Sequence, residues 1–265
     1  VPRNRVSTLF FVDAIAKRRH THERMPSWVP ARAERAELLD QGRWPLPMLR
    51  ANLREMALAD RLLGGRRATL ARVTSRIDAL PAKHRPRVLD VATGNAALPR
   101  SLYGWSIRHH RPLQLFAGDI NADVLLVARV ELGKAPIRLV RHDALRMPFA
   151  DESFDIVTCT QALHHFGSQA AVDLLAELAR VARSAVVVND LRRSYAAYWL
   201  ARLLARGPAS RLGRHDGPLS VLRAYTPDEA RELARRAALD AKVRQAPFRL
   251  LLEWEKRDRP LPTKW

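Results

Sequence analysis

Three aspartates, each at or beside the end of a short apolar run, set the chemistry this chain can do. They are Asp90 in RVLDV, Asp119 in LQLFAGD and Asp143 in IRLVRHD. A carboxylate accepts hydrogen bonds from hydroxyl and amino groups, and one carboxylate can accept both hydroxyls of a ribose. The stretch after the first run, DVATGNAALP, narrows the ligand further. It lacks the Gly-x-x-x-x-Gly-Lys-Ser/Thr of a P-loop. Ala92, Gly94 and Ala97 occupy the positions of a Gly-x-Gly-x-x-Gly fingerprint, so two of its three glycines are missing. A pyrophosphate gains little beside Asp90, so an adenosine-like ligand without phosphates fits this turn better.

A second set of residues could move a proton or hold a second reactant. His164 and His165 follow the apolar run FDIVTCT directly, and His215 precedes Asp216 in RHDGP. A histidine near neutral pKa suits removal of a proton from a phenol or enol, and an acidic neighbour raises its pKa and fixes its tautomer. Either pair is a candidate base, and either could equally serve as cap or turn. Arg192 and Arg193 follow Asp190 and, with Asp216, are candidates for holding an acidic or carbonyl-bearing substrate. Cys159, within FDIVTCT, reads as a small core residue. The histidines and carboxylates show no metal-ligand spacing such as His-x-x-x-His beside an acid, so no metal is expected.

These residues must be positioned by the elements between them. RVLDV, LQLFAGD, IRLVRHD, FDIVTCT and AVVVND read as five strands. Helical patterns follow the first two, the fourth and the fifth, and AKVRQA and FRLLLEWE read as two late strands. Short apolar strands alternating with amphipathic helices predict a seven-stranded, mostly parallel α/β sheet with helices on both faces. In such a sheet ligands bind at the carboxyl ends of the strands, which is where the aspartates lie. TPDEARELARRAAL opens with a capping box of Thr226 and Glu229. Residues 31–80 read as helices throughout, with Leu49, Leu53, Met56 and Leu63 on one stripe that Asp60 interrupts. They form an N-terminal helical cap. Residues 210–220 carry Gly213, Gly217 and Pro218 and read as a mobile loop beside the pocket.

VLDVATGNAALP resembles motif I of class I S-adenosylmethionine-dependent methyltransferases, with Ala92 and Ala96 in place of two of its glycines. FAGDIN resembles the acidic end of that family's second strand. RHDALRMPFADESFDIVTCTQALHHF is similar to its passage from third to fourth strand. The later segments VVVNDLRRS, SRLGRHDGPLS and RAYTPDEARELA look like a bacterial subgroup that tailors quinones and polyketides. The resemblance implies a Rossmann-like fold, S-adenosyl-L-methionine as cofactor, and methyl transfer to a small acceptor, aromatic or polyketide-like, on oxygen or carbon. It implies roles as well. Asp90 would orient the turn and the cofactor's amino group, and Gly94 would let the backbone approach, flanked by Ala92, Thr93 and Asn95. Asp119, followed by Ile120, would hold the ribose hydroxyls. Asp143 and Ala144 would meet the adenine, and Gln161 would lie under the donor sulfur. No Asp/Asn-Pro-Pro-aromatic run follows the fourth strand, which argues against methylation of a base amino group. The alanines fit if their φ is negative. If it is not, cofactor affinity falls, and a non-catalytic relative becomes the alternative.

The chain has 265 residues, 47% of them hydrophobic, enough for a full core as a cap (1–80, including a basic arm over 1–30) and a cofactor domain (81–265). Its formal net charge of +19 attracts phosphates and nucleic acid. The basic residues are spread rather than blocked, so an RNA or protein acceptor is the second reading and the small molecule the first. One cysteine, no apolar run long enough to span a bilayer and no convincing signal peptide predict a cytoplasmic protein. Oligomeric state is not readable.

Overall fold

A computed structural model describes residues 29–207 and 209–256. The expected arm over residues 1–30 lies almost wholly outside them. Two helices, α1 (Leu46–Leu62) and α2 (Gly65–Asp78), precede the sheet. Then β1 (Arg87–Val91), α3 (Ala97–Arg108), β2 (Gln114–Asp119), α4 (Ala122–Leu132) and β3 (Ile137–Arg141) follow in alternation. They lead to β4 (Phe154–Thr160), α5 (Ser168–Val181), β5 (Ala182–Leu191) and three helices, α6 (Tyr195–Leu204), α7 (Arg211–Arg223) and α8 (Pro227–Arg236). The hairpin β6 (Lys242–Ala246) and β7 (Arg249–Glu255) ends the fold.

The seven strands run in the order β3-β2-β1-β4-β5-β7-β6. The first five are parallel, and β7 is antiparallel to both neighbours. Strand order reverses at β1, between β2 and β4, and a crevice opens outside the carboxyl ends of the strands there. The central strands are buried on both faces, as their continuous apolar runs require: all of Val88–Val91 and Phe154–Cys159 is buried. One core lies on the α5 and α8 side, around Leu174, Leu175, Leu178 and Leu233. The other lies on the α2, α3 and α4 side, around Val73, Ile77, Leu102 and Ala128. The expected capping box is present: Thr226 Oγ1 accepts from the Glu229 amide and Glu229 Oε2 from the Thr226 amide.

Two expectations for the cap are corrected. Residues 31–40 are not a regular helix but an extended strap ending in one 3₁₀ turn, Leu38–Asp40. Its backbone is claimed by tertiary partners: the Ala33 amide donates to Leu222 O, and those of Leu38 and Leu39 donate to Asp216. Residues 210–220 are not a loop but most of α7. Ser210 caps it by accepting from the Gly213 amide, and Glu55 of α1 accepts from the Ser210 amide and hydroxyl, placing negative charge at the positive helix end. These contacts outweigh the helix-weakening Gly213, Gly217 and Pro218.

Candidate active site

The turn after β1 is built from an inner brace and an outer backbone arc. Asp90 is enclosed, and its two oxygens accept from Thr93 Oγ1 and Thr158 Oγ1, both at 2.7 Å. Burial pushes its pKa up to about 6, against the pull of the two hydroxyls. Asp90 therefore holds the turn from behind and does not itself face the crevice. Ala92, Gly94 and Ala96 all have positive φ, at 53°, 56° and 55°. The alanines do not take the negative φ that would make them comfortable. They keep the backbone path of the glycines they replace and bear the strain of the left-handed region. At Gly94 a Cβ would meet a Leu53 methyl of the cap at 3.7 Å, an ordinary contact.

Asp119 closes the far side. Its Oδ2 accepts from the Gly94 amide at 3.3 Å and its Oδ1 from the Asn121 amide at 3.0 Å. Burial raises its pKa, opposed by those amides. Ile120 beside it is exposed. Asp143, just past the end of β3, accepts from the Leu145 amide at 2.9 Å and is exposed, with Ala144 half-buried beside it. Both carboxylates keep acceptor capacity for hydroxyl and amino donors. A donor-rich nucleoside therefore fits, and a phosphate does not.

Two cavities meet on this edge. The smaller lies over the turn, lined by Ala92, Thr93, Gly94 and Asn95 with Asp60 and Arg66 of the cap. The larger, about 420 Å³, lies between α1, α6 and α7, with Leu58, Leu62, Leu200, Ala201 and Val221 in its wall. Met56 and Gln161 line both. Gln161, directly after β4, has φ 53°, an unfavourable conformation for a residue with a side chain, held by its amide donating to Asn189 O.

His164 lies in the wall of the larger cavity and is 1% exposed. Its Nδ1 meets Asp190 Oδ1 at 2.6 Å and its backbone amide donates to Asp190 Oδ2. Nε2 lies 3.4 Å from Glu37 Oε1. Burial pulls its pKa down, but the carboxylates of Asp190 and Glu37 prevail and push it up to about 10. Glu37 in turn drops to about 2, with burial opposed and overcome by His164 and His165. His165 does not line the cavity; its Nδ1 meets Asp40 Oδ2 at 2.7 Å.

The other expected residues are placed differently. His215 is exposed, bonds Asp216 at 2.7 Å through Nδ1, and does not line the cavity. Asp216 lines it, yet its carboxylate anchors the strap. Arg193 is buried against Glu229 Oε1 at 2.5 Å and Ala224 O at 2.8 Å, and Arg192 donates to Gln245. Both serve packing contacts. The sequence reading missed Glu37, Asn52, Asp60 and Arg66, all on the cap. Only the break that Asp60 makes in the apolar stripe signalled any of them.

Residues 89–188 match the family described as "Methyltransferase domain". Among curated proteins, the demethylmenaquinone methyltransferase of Deinococcus radiodurans is 35% identical over 102 residues, 37% of this chain and 39% of that protein. The ubiquinone/menaquinone biosynthesis C-methyltransferase of Stutzerimonas stutzeri is 35% identical over 105 residues, 38% of this chain and 39% of that protein. These matches span about two fifths of those relatives' length. Among solved structures, a SAM-dependent methyltransferase from Aquifex aeolicus superposes with a TM-score of 0.51 at 15% identity, covering 80% of this chain and 99% of that one. Magnesium protoporphyrin IX methyltransferase from Synechocystis PCC 6803, with bound S-adenosylhomocysteine (SAH), gives 0.50 at 15% identity, covering 73% and 84%. At such identities the likeness is one of fold. The strand order and the matched family agree: residues 89–188 carry a methyltransferase domain, on a fold shared with solved S-adenosylmethionine-dependent methyltransferases.

Proposed function

We propose that the protein transfers the methyl group of S-adenosylmethionine to a small, largely apolar acceptor with an aromatic or polyketide-like ring. The observation that carries this reading is the junction at Met56 and Gln161, where the cavity over the cofactor turn opens onto the apolar cavity of the cap. When bound, S-adenosylmethionine supplies an activated methyl group open to in-line displacement. The protein's work is then to align two reactants and exclude water. Asp119 accepts the ribose hydroxyls, Gly94 gives the backbone approach, and Asp143 with Ala144 and Ile120 borders the adenine. At the other end, Arg66 and Asp60 offer one positive and one negative partner for the amino-acid group. Thr93 and Asn95 line the turn between them.

The acceptor cavity argues for the substrate class. Its wall is mostly aliphatic, and its one arginine, Arg249, is paired with Asp60 at 3.0 Å. A nucleic-acid site needs unpaired cations, and none lines this cavity among the described residues. Asn52 Oδ1, buried without a hydrogen-bond partner, and the facing pair Glu37 Oε1 and His164 Nε2 can fix an acceptor's polar end. This favours His164 over His165 or the exposed His215 as the group nearest the reacting acceptor. The relatives named for menaquinone and ubiquinone pathways favour a quinone-like ring. The test is production of SAH from S-adenosylmethionine across a panel of quinols, phenols and polyketide-like enols, with total RNA as the competing acceptor. Turnover with a ring compound alone supports the reading, and turnover with RNA alone overturns it. No helix among the described residues is long and apolar enough to cross a membrane.

A further inference from the structure

We propose that Glu37, His164 and His165 form a binding site for a divalent first-row transition metal ion at the wall of the acceptor cavity. One ligand atom from each residue lies within 4.8 Å of the other two. His164 Nε2 is 3.4 Å from Glu37 Oε1, and His165 Nε2 is 4.0 Å from Glu37 Oε2. Ligands about 2.0–2.2 Å from a metal stand roughly 3–3.6 Å apart in tetrahedral geometry, so modest closure of the exposed edge completes the set. Two imidazoles and one carboxylate are a donor set for such ions, with coordination positions left open.

Two independent observations point to a ligand here. Glu37 and His164 are each 2% exposed at the side chain, and Glu37 Oε1 and His164 Nε2 face one another at 3.4 Å without a hydrogen bond of good geometry, the spacing of two ligand atoms on one ion. In addition, both histidines meet a carboxylate through Nδ1, His164 with Asp190 at 2.6 Å and His165 with Asp40 at 2.7 Å. That is the support a metal-bound imidazole characteristically has: the outer carboxylate fixes the ring and directs Nε2 at the ion.

The carboxylates outnumber the cations around the site. Glu37, Asp40 and Asp190 bring three negative charges. Arg223, whose Nε lies 3.7 Å from Glu37 Oε1 while its Nη atoms donate to the carbonyls of Glu34, Arg35 and His165, brings one positive charge. Arg32, whose Nη2 donates to the carbonyls of His164 and Phe166, brings a second positive charge, so with neutral imidazoles the cluster is net negative before a dication binds. An imidazole binds the ion only through an Nε2 free of its proton. Glu37 and His164 line the acceptor cavity, so the open positions face it and would take an acceptor oxygen. That last role rests on the proposed function; the site itself does not.

The test uses the full chain without an affinity tag, stripped with a chelator and titrated with Zn²⁺ by calorimetry and with Co²⁺ by visible absorption. One equivalent of Zn²⁺ should bind, and Co²⁺ should give d–d bands. His165→Ala and Glu37→Gln should each weaken Zn²⁺ binding tenfold or more and abolish the Co²⁺ bands. Asp40→Asn, acting only through His165, should weaken binding by a smaller factor, and the surface control His110→Ala should leave it unchanged. SAH titration of each variant separates misfolding from ligand loss. It also separates this proposal from the methyltransferase reading, since failure of either leaves the other's binding intact. No uptake by the parent, or parent-like affinity in a correctly folded His165→Ala, overturns the site.

Discussion

Asp60 on α1 and Arg249 on β7 form an ion pair at 3.0 Å, packed against Gly65, where a Cβ would lie 2.1 Å from Asp60 Oδ1. The pair ties the cap to the last strand beside both cavities. Arg249 is 2% exposed, and burial lowers its pKa against the pull of Asp60. Removing Asp60 leaves a buried guanidinium uncompensated, so Asp60→Ala should cost about 3–5 kcal/mol. Gly65→Ala should also destabilise, because its Cβ, 2.1 Å from Asp60 Oδ1 and 2.9 Å from Arg249 Nε, would push the pair apart. Urea melts measure both. A loss below about 1 kcal/mol in each would show that the pair contributes little.

The strained turn makes a prediction of opposite sign. Relief of a left-handed alanine is worth about 1–2 kcal/mol, and the lost methyl costs about 0.8 kcal/mol where it is fully buried. Ala96 is fully buried and Ala92 half-buried. Ala92→Gly should therefore stabilise by about 0.5–1.5 kcal/mol and Ala96→Gly by about 0–1 kcal/mol, with cofactor affinity equal or better in both. Midpoints of chemical denaturation and SAH titration check this. Marked destabilisation by Ala92→Gly would mean that the backbone there does not carry the strain.

The shape of the sheet was legible because its strands are short apolar runs separated by turn residues, and Asp119 and Gly94 stand at its edge by spacing alone. The sign of φ at Ala92 and Ala96 was not, since the surrounding fold imposes it. Residues 210–220 were misread because glycine and proline weaken a helix locally. Glu55, more than 150 residues earlier, pins that helix through Ser210. Glu37 and Arg66 reach the cavities only because the cap folds over the strand ends, and no local pattern encodes that.

Asp90 gives the pH dependence. Its folded pKa, about 6, lies above the ordinary 3.8, so its contribution to stability is present below about pH 3.8 and lost as pH rises through 6. The shift corresponds to about 3 kcal/mol. Asp90→Asn cannot ionise. Its stability relative to the parent should therefore improve by roughly 2 kcal/mol between pH 4.5 and 7.5. Equilibrium unfolding at both pH values reads this directly, and a difference that does not change with pH would contradict it.

Ala201 lines the apolar cavity and not the cofactor turn. Ala201→Trp should fill the acceptor space, raising KM for the acceptor or abolishing turnover while SAH affinity stays within about twofold of the parent, a difference below 0.5 kcal/mol. Kinetics beside calorimetry decides. Equal losses of cofactor and acceptor binding would mean that the two cavities do not divide the reactants.

The central claim is that the crevice at β1 and β2 binds S-adenosylmethionine through Asp119. Calorimetric titration of the parent and of Asp119→Ala with SAH tests it before any acceptor is known. Losing a charge-assisted contact to the ribose hydroxyls should cost about 1.5–3 kcal/mol, a weakening of roughly tenfold or more, in a variant that remains folded. Saturable binding near one equivalent in the parent, weakened to that extent in the variant, is the predicted result. No binding by the parent, or equal affinity in both proteins, would contradict the account.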